Sequence, residues 1–130
     1  MDPVHLDQVL ATTPAIKFVY TVPDFQNPTG VTLSLERRRQ LLDDANRYDV
    51  LILEHAPDRD LRFDGDTLPT LASLATEGRV IHLGSFSKGL ASGLRLGWMM
   101  APQPILSRLA LLKLAADTHS SNLNMAAVST

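Results

Sequence analysis

The segment VIHLGSFSKGLASGLRLGWMM, residues 80–100, holds two apolar runs separated by small and polar residues. The runs at 80–84 and 94–100 have the length and composition of short buried strands. One lysine, Lys88, and one arginine, Arg95, lie within the segment. Cationic side chains at the end of a buried strand make this segment the first candidate site.

Similar patterns organise the rest of the chain. Four apolar runs predict strands, at residues 16–22, 50–54, 80–84 and 94–100. Helical periodicity predicts three helices, one starting at a Ser34 cap, one over 70–76 and one over 104–119. Alternating strands and helices predict an α/β fold with a mostly parallel sheet, and the short link before the fourth strand allows that strand to run antiparallel.

The first of these helices has two distinct faces. One face is apolar and contains Leu35, Leu41, Leu42 and Ala45. The opposite face is charged and contains Glu36, Arg37, Arg38, Arg39, Asp43 and Asp44. Amphipathic helices place such charged residues largely toward water, so we interpret the basic run at residues 37–39 as a solvated face.

The composition restricts the class of protein. The chain has 130 residues, of which 45% are apolar and 20% are charged, and a net charge of -2, which is typical of one globular domain. This charge gives no global attraction to nucleic acid or to an anionic membrane. The chain contains no cysteine and no apolar run near the length of a membrane span. We therefore expect a soluble cytoplasmic protein with no direct nucleic acid or membrane contact.

The histidines do not predict a metal site. His5, His55, His82 and His119 lack the spacing of metal ligands. His82 lies inside an apolar run, which favours a packed residue or a residue on an edge strand over a ligand.

Polar loops follow each of the first three predicted strands. They read PDFQNPTG, EHAPDRDLRF and SFSKGLASGLR. In open parallel sheets, ligands bind beyond the carboxyl ends of the strands, so these loops are expected to share one rim.

The third loop has groups that suit a phosphorylated aldehyde. A lysine amine is a nucleophile only in its uncharged form, which apolar or cationic surroundings favour. Ser85, Ser87 and Arg95 offer hydroxyls and a guanidinium for a phosphate near Lys88. The residue pattern alone leaves open the ordinary alternative, in which Lys88 is a solvated loop residue.

Two motifs in order make the chain resemble a known family. SFSKGLASGLRLGW resembles the Schiff-base segment of fold type I pyridoxal-phosphate aminotransferases, and VPDFQNPTG resembles their Asn-Pro-Thr-Gly segment. The similarity extends through LSLERRRQLL and AADTHSSNLN. It is greatest to the subgroup of 2-aminoadipate and aromatic aminotransferases and of aminotransferase-like domains of some regulators.

The resemblance implies an architecture. It implies the three-layer α/β/α large domain of that family. Family members are much longer, so we expect residues 1–130 to form part of the cofactor-binding large domain, without its N-terminal part and without the C-terminal small domain.

The resemblance also implies a cofactor and residue roles. Lys88 would bind pyridoxal 5'-phosphate covalently and then act as the proton shuttle. Ser85, Ser87 and Arg95 would hold the phosphate, and Asn27 would donate to the phenolate oxygen of the cofactor ring. The implied substrates are an amino acid and a 2-oxo acid, and the implied assembly is a homodimer.

Two positions depart from the family pattern. His55 stands where the resemblance implies an aspartate that pairs with the ring nitrogen, and Asp58 stands where it implies a tyrosine. A neutral imidazole supplies no fixed negative charge, which weakens the cofactor as an electron sink. Two alternatives to an active aminotransferase therefore stay open, namely a ligand-sensing domain of a transcriptional regulator and an inert fold fragment.

Overall fold

The computed structural model describes residues 2–129 and contains one four-stranded sheet with flanking helices. The strands are β1 (Phe18–Thr21), β2 (Leu51–His55), β3 (Val80–Ser85) and β4 (Gly97–Met100). The helices are α1 (Pro3–Thr12), α2 (Leu35–Arg47), α3 (Leu71–Leu74), α4 (Phe86–Gly89), α5 (Gln103–Asp117) and α6 (Asn122–Val128). None of these helices combines the length and apolar character that crossing a bilayer requires.

The sheet has the predicted topology. Its order is β1-β2-β3-β4, with parallel pairing of the first three strands and antiparallel pairing of β3 with β4. Thr21 is level with Glu54, and Glu54 is level with His82. The α/β prediction, with a mostly parallel sheet and a last antiparallel strand, is confirmed.

Capping residues set the starts of the helices. The Ser34 Oγ accepts from the Arg37 N–H at 3.3 Å, which confirms the predicted cap of α2. Three helices were not predicted, namely α1, α4 and α6. Each carries a local start signal, since Asp2, Ser85 and Ser121 cap them, but α4 and α6 are short and all three lack a long apolar stripe.

The core lies on one face of the sheet, beneath α1, α2 and α3. Ile52 of β2 and Leu71 of α3 are fully buried at its centre. The rest of the buried apolar cluster consists of Leu10, Leu33, Leu41, Leu42, Ala45, Val50 and Val80. Burial of this apolar surface is the main favourable term that holds these helices to the sheet.

The prediction of a solvated basic run on α2 is wrong at Arg38, and Asp44, which the sequence places on the same charged face, is buried as well. Arg38 is 0% exposed and Asp44 is 2% exposed. The unpredicted helix α1 covers Asp44, which lines a small cavity together with Leu6. Burial raises the pKa of Asp44 above its usual value. Burial of Arg38 is possible because each nitrogen of its guanidinium donates a hydrogen bond.

A buried carboxylate joins β2, β3 and α3. Glu54 is 0% exposed, and its two oxygens accept from the backbone N–H groups of Leu71 and Ala72 at 2.7 and 2.9 Å. The His82 Nδ1 lies 2.8 Å from Oε2, and an ionised carboxylate only accepts, so the imidazole donates. His82 is therefore a packed residue, and it lies on an inner strand rather than at the edge.

These contacts favour the charged form of Glu54. Burial opposes ionisation, but the hydrogen bonds from His82 and from the two backbone amides outweigh it, so the pKa of Glu54 lies below its usual value of 4.5. A carboxyl with a lowered folded-state pKa stabilises the fold above its unfolded pKa, and this stabilisation is lost as the pH falls.

We predict that Glu54→Gln flattens the acid limb of the stability profile. The free energy of unfolding of the wild type should decrease as the pH falls below about 4.5, and the variant should show a smaller slope and a loss of about 1–3 kcal/mol at pH 7. Urea unfolding from pH 3 to 7 measures both. Asp60→Asn, at a side chain 91% exposed, is the control. Equal slopes for wild type and Glu54→Gln would contradict the assignment.

Candidate functional site

The carboxyl ends of β1, β2 and β3 meet at a cleft of about 410 Å³. The loops after these strands supply most of its walls. Six of the seven residues singled out from the sequence line it: Asn27, His55, Asp58, Ser85, Ser87 and Lys88. Tyr20, Val22, Gln26 and Pro57 complete the lining. The structure thus gathers into one cavity residues from three loops that are well separated in the chain.

The segment around Lys88 is a short helix rather than the open loop that the sequence suggested. The Ser85 Oγ accepts from the Ser87 N–H at 3.1 Å and so starts α4. The Phe86 N–H donates to the Leu96 carbonyl at 3.1 Å, which ties the helix to the segment before β4. Lys88 itself is exposed at the cleft.

Arg95 stands beside the cleft and joins it through Ser87. Its Nη1 donates to the Ser92 carbonyl at 3.2 Å and to the Ser87 Oγ at 3.4 Å. The residue has a left-handed backbone, with φ of 51° and ψ of 38°. Arg95 does not line the cavity, and its contact with Ser87, which does line it, is its link to the cleft.

The loop at residues 23–33 presents Asn27 to the same cleft. We call it the Asn27 loop. It closes on itself through a hydrogen bond from the Gln26 N–H to the Val31 carbonyl at 3.0 Å. Gly30 takes a φ of 69°, a conformation that glycine adopts without steric cost. At the base of the loop, the Leu33 N–H donates to the Pro23 carbonyl at 2.7 Å.

His55 is held in the cleft by a residue that sequence reasoning missed. The Tyr20 hydroxyl lies 2.8 Å from the His55 Nδ1. Tyr20 pairs with Leu53 in the parallel register, which places it on the sheet face that also carries His55. The alternation of side chains along β1 shows which of its residues share a face with Tyr20. Only the register of β1 against β2 shows that His55 lies on that face too. Asp58 begins the turn after β2 and lines the cavity beside His55.

The cleft combines an amine with side chains that can donate hydrogen bonds to an anion. Lys88 provides a primary amine, and the hydroxyls of Ser85 and Ser87 lie on the same wall. The guanidinium of Arg95 adds a second positive charge at Ser87. Hydrogen bonds from charged donors bind phosphates more strongly than neutral ones. An aldehyde or ketone that carries a phosphate fits these groups.

The chain matches one family model and several known proteins. The family model for aminotransferase class I and II matches residues 1–130. Aromatic-amino-acid aminotransferase 1 of Thermococcus litoralis is 44% identical over 78% of this chain and 24% of that protein. The uncharacterized HTH-type transcriptional regulator YisV of Bacillus subtilis is 36% identical over 83% of this chain and 22% of that protein.

A solved structure agrees with these matches. The crystal structure of Pyrococcus horikoshii kynurenine aminotransferase in complex with PMP superposes with a TM-score of 0.89 at 40% identity. The match covers 92% of this chain and 31% of that one. The chain therefore spans about a quarter of the length of the curated relatives it matches.

We predict that Tyr20→Phe changes the hydrogen bonding of the His55 ring without unfolding the protein. Removal of the hydroxyl leaves Nδ1 without this partner and alters the balance between the two imidazole tautomers. Ring ¹⁵N chemical shifts measured by NMR should move for His55, while those of the distant His5 and His119 stay fixed. Unchanged His55 shifts would show that the contact is not formed in solution.

Proposed function

Because the chain belongs to the class I and II aminotransferase family, we propose that it forms the cofactor-binding part of a pyridoxal-phosphate-dependent aminotransferase. Such an enzyme moves an amino group between an amino acid and a 2-oxo acid. The observation that carries the proposal is the single cleft in which Asn27, Ser87 and Lys88 meet at the ends of parallel strands. When bound, pyridoxal 5'-phosphate supplies an aromatic electron sink that acidifies the α-carbon of an attached amino acid.

The residues present fit the two ends of this cofactor. The Lys88 amine would bind the aldehyde carbon, and the same amine, once released, would take the proton that leaves the substrate α-carbon. The hydroxyls of Ser85 and Ser87 and the guanidinium of Arg95 would hold the phosphate, and the 3.4 Å contact of Arg95 with Ser87 supports their joint role. Asn27 would donate its amide N–H to the phenolate oxygen of the ring.

His55 and Asp58 would modify the chemistry of the ring. Both line the cleft, which supports the proposal that they lie beside the cofactor. A neutral imidazole held by Tyr20 would hydrogen-bond to the ring nitrogen without supplying the negative charge that keeps this nitrogen protonated. An ionised Asp58 would repel the phenolate oxygen. Both departures would slow transamination relative to an enzyme with aspartate and tyrosine at these positions.

We further propose a cytoplasmic homodimer as the working assembly, with the chain as part of a large domain. Exposed apolar side chains support the need for a partner surface. Trp98, Met99 and Met100 of β4 are 42%, 38% and 57% exposed, and Leu111 and Leu112 of α5 are 67% and 65% exposed. Exposed apolar side chains in this number are typical of an interface when they lie together on the surface.

A second candidate function is ligand sensing without turnover. The 36% identity to the regulator YisV and the presence of His55 and Asp58 favour it. The two candidates differ in one measurable step. An aminotransferase converts the bound aldehyde form of the cofactor to its amine form when an amino acid is added, whereas a sensor binds the amino acid and leaves the cofactor in its aldehyde form.

We predict that Arg95→Gln weakens binding of pyridoxal 5'-phosphate about 10- to 100-fold, because one charge-assisted hydrogen bond to the phosphate is lost. Glutamine keeps a side chain at the same left-handed backbone position. Binding of pyridoxal, which lacks the phosphate, should be unchanged. Absorbance titrations measure both affinities.

The matched control is Arg47→Gln, at a surface arginine of α2 that is 61% exposed. It should bind both ligands like the wild type. Equal losses for the two ligands in Arg95→Gln, or no loss for either, would remove Arg95 from the phosphate site.

A further inference from the structure

Arg38 is a buried cation that the proposed chemistry does not use. Its side chain is 0% exposed, and its Nη2 forms a 2.7 Å ion pair with Asp24, which is 1% exposed. Removal of an ion pair from water is costly, and such pairs contribute little net stability compared with apolar residues of similar size. The position of Arg38 in the fold therefore requires an explanation other than stability.

The guanidinium holds both ends of the Asn27 loop. Its Nε donates to the carbonyl of Leu33 at 3.0 Å, and its Nη2 donates to the carbonyl of Pro23 at 3.3 Å. Pro23 and Leu33 are the first and last residues of the loop. The planar fork of arginine fixes the angle between these two hydrogen bonds, which one lysine ammonium cannot reproduce.

Arg38 and Asp24 also contact two neighbouring segments of the chain, at Pro69 and at Arg62. Arg38 Nη1 donates to the carbonyl of Pro69, just before α3, at 3.0 Å. Asp24 Oδ1 also accepts from Arg62 Nη2 at 3.4 Å, and the Arg62 guanidinium lies 4.7 Å from the centre of the Phe25 ring. Arg62 follows the turn that begins at Asp58. Two of the three loops at the cleft are thus joined through one buried carboxylate.

The interior of the Asn27 loop is held by local contacts. Gln26 bonds to Val31 through the backbone, and the Thr29 N–H donates to the Gln26 side chain at 3.2 Å. These bonds fix the shape of the loop, but they do not fix its position relative to the sheet. Among the contacts described for the loop, those of Arg38 at its two ends connect it to α2 and to the start of α3.

We propose that Arg38, paired with Asp24, is a positioning residue that orients the Asn27 loop and so places Asn27 in the cleft. The proposal rests on the proposed function for the statement that Asn27 contacts the cofactor. Arg38 touches neither the cleft nor a ligand, and acts through the backbone carbonyls of the loop.

The test uses Arg38→Lys, which keeps the charge that Asp24 requires and loses the fork. We expect binding of pyridoxal 5'-phosphate to weaken about tenfold, as judged by absorbance titration. Asn27→Ala and the double variant complete a mutant cycle. If Arg38 acts through Asn27, its replacement has no further effect on affinity in the Asn27→Ala background. Additive losses, or wild-type affinity in Arg38→Lys, would overturn the proposal.

Two further variants separate a positioning role of Arg38 from an effect on stability. Leu10→Ala destabilises the same core away from the loop and should bind the cofactor like the wild type; a similar loss of affinity in Leu10→Ala would mean that Arg38 matters through stability alone. If Arg38→Lys does not fold, the pair Arg38→Met with Asp24→Asn replaces it, because it removes both charges of the Arg38–Asp24 ion pair together.

A measurement without ligand separates this proposal from the proposed function. Hydrogen exchange of the Leu33 amide, which donates to the Pro23 carbonyl across the base of the loop, should accelerate at least tenfold in the Arg38 variant, while amides of β2 and β3 keep their wild-type rates. If the wild type does not bind pyridoxal 5'-phosphate, the proposed function is wrong. The exchange rates would still show whether Arg38 orients the loop. Unchanged exchange in the loop would overturn the positioning role.

Discussion

Parallel pairing of β1, β2 and β3 is the constraint on which the rest of the structure depends. Because the three strands run in one direction and Thr21, Glu54 and His82 are level, all three carboxyl ends reach the same edge of the sheet. The loops that follow these strands therefore lie next to one another at that edge. Lys88 and Asn27 share one cleft for this reason.

Buried polar groups secure that geometry from the core side. Glu54 joins two strands to the start of α3, and the Asp24–Arg38 pair joins the first loop to α2 and to Pro69. Groups of this kind gain little net stability, but they restrict the arrangement of the segments around them, because leaving any partner unpaired in the core is costly. Burial of the apolar cluster drives folding, and these polar contacts determine where the first loop and α3 lie relative to the sheet.

Much of the fold could be predicted from the sequence because the signals are local. Apolar runs gave the four strands, and Ser34 marked the start of α2. Five of the seven candidate site residues lie in two motifs, His55 and Asp58 lie in the loop after β2, and six of the seven line the cleft. The features that could not be predicted depend on contacts between residues that are far apart in the sequence. The burial of Arg38 requires acceptors at Pro23, Leu33 and Pro69, and the contact of Tyr20 with His55 requires the strand register.

The central claim is that the Lys88 amine reacts with pyridoxal 5'-phosphate in this cleft. The chain contains three lysines, Lys17, Lys88 and Lys113, so the other two serve as internal controls. Incubation with the cofactor, reduction with borohydride and peptide mass mapping test the claim directly. We expect an adduct on Lys88 at cofactor concentrations that leave Lys17 and Lys113 unmodified. Equal labelling of all three lysines, or no labelling of Lys88, would contradict it.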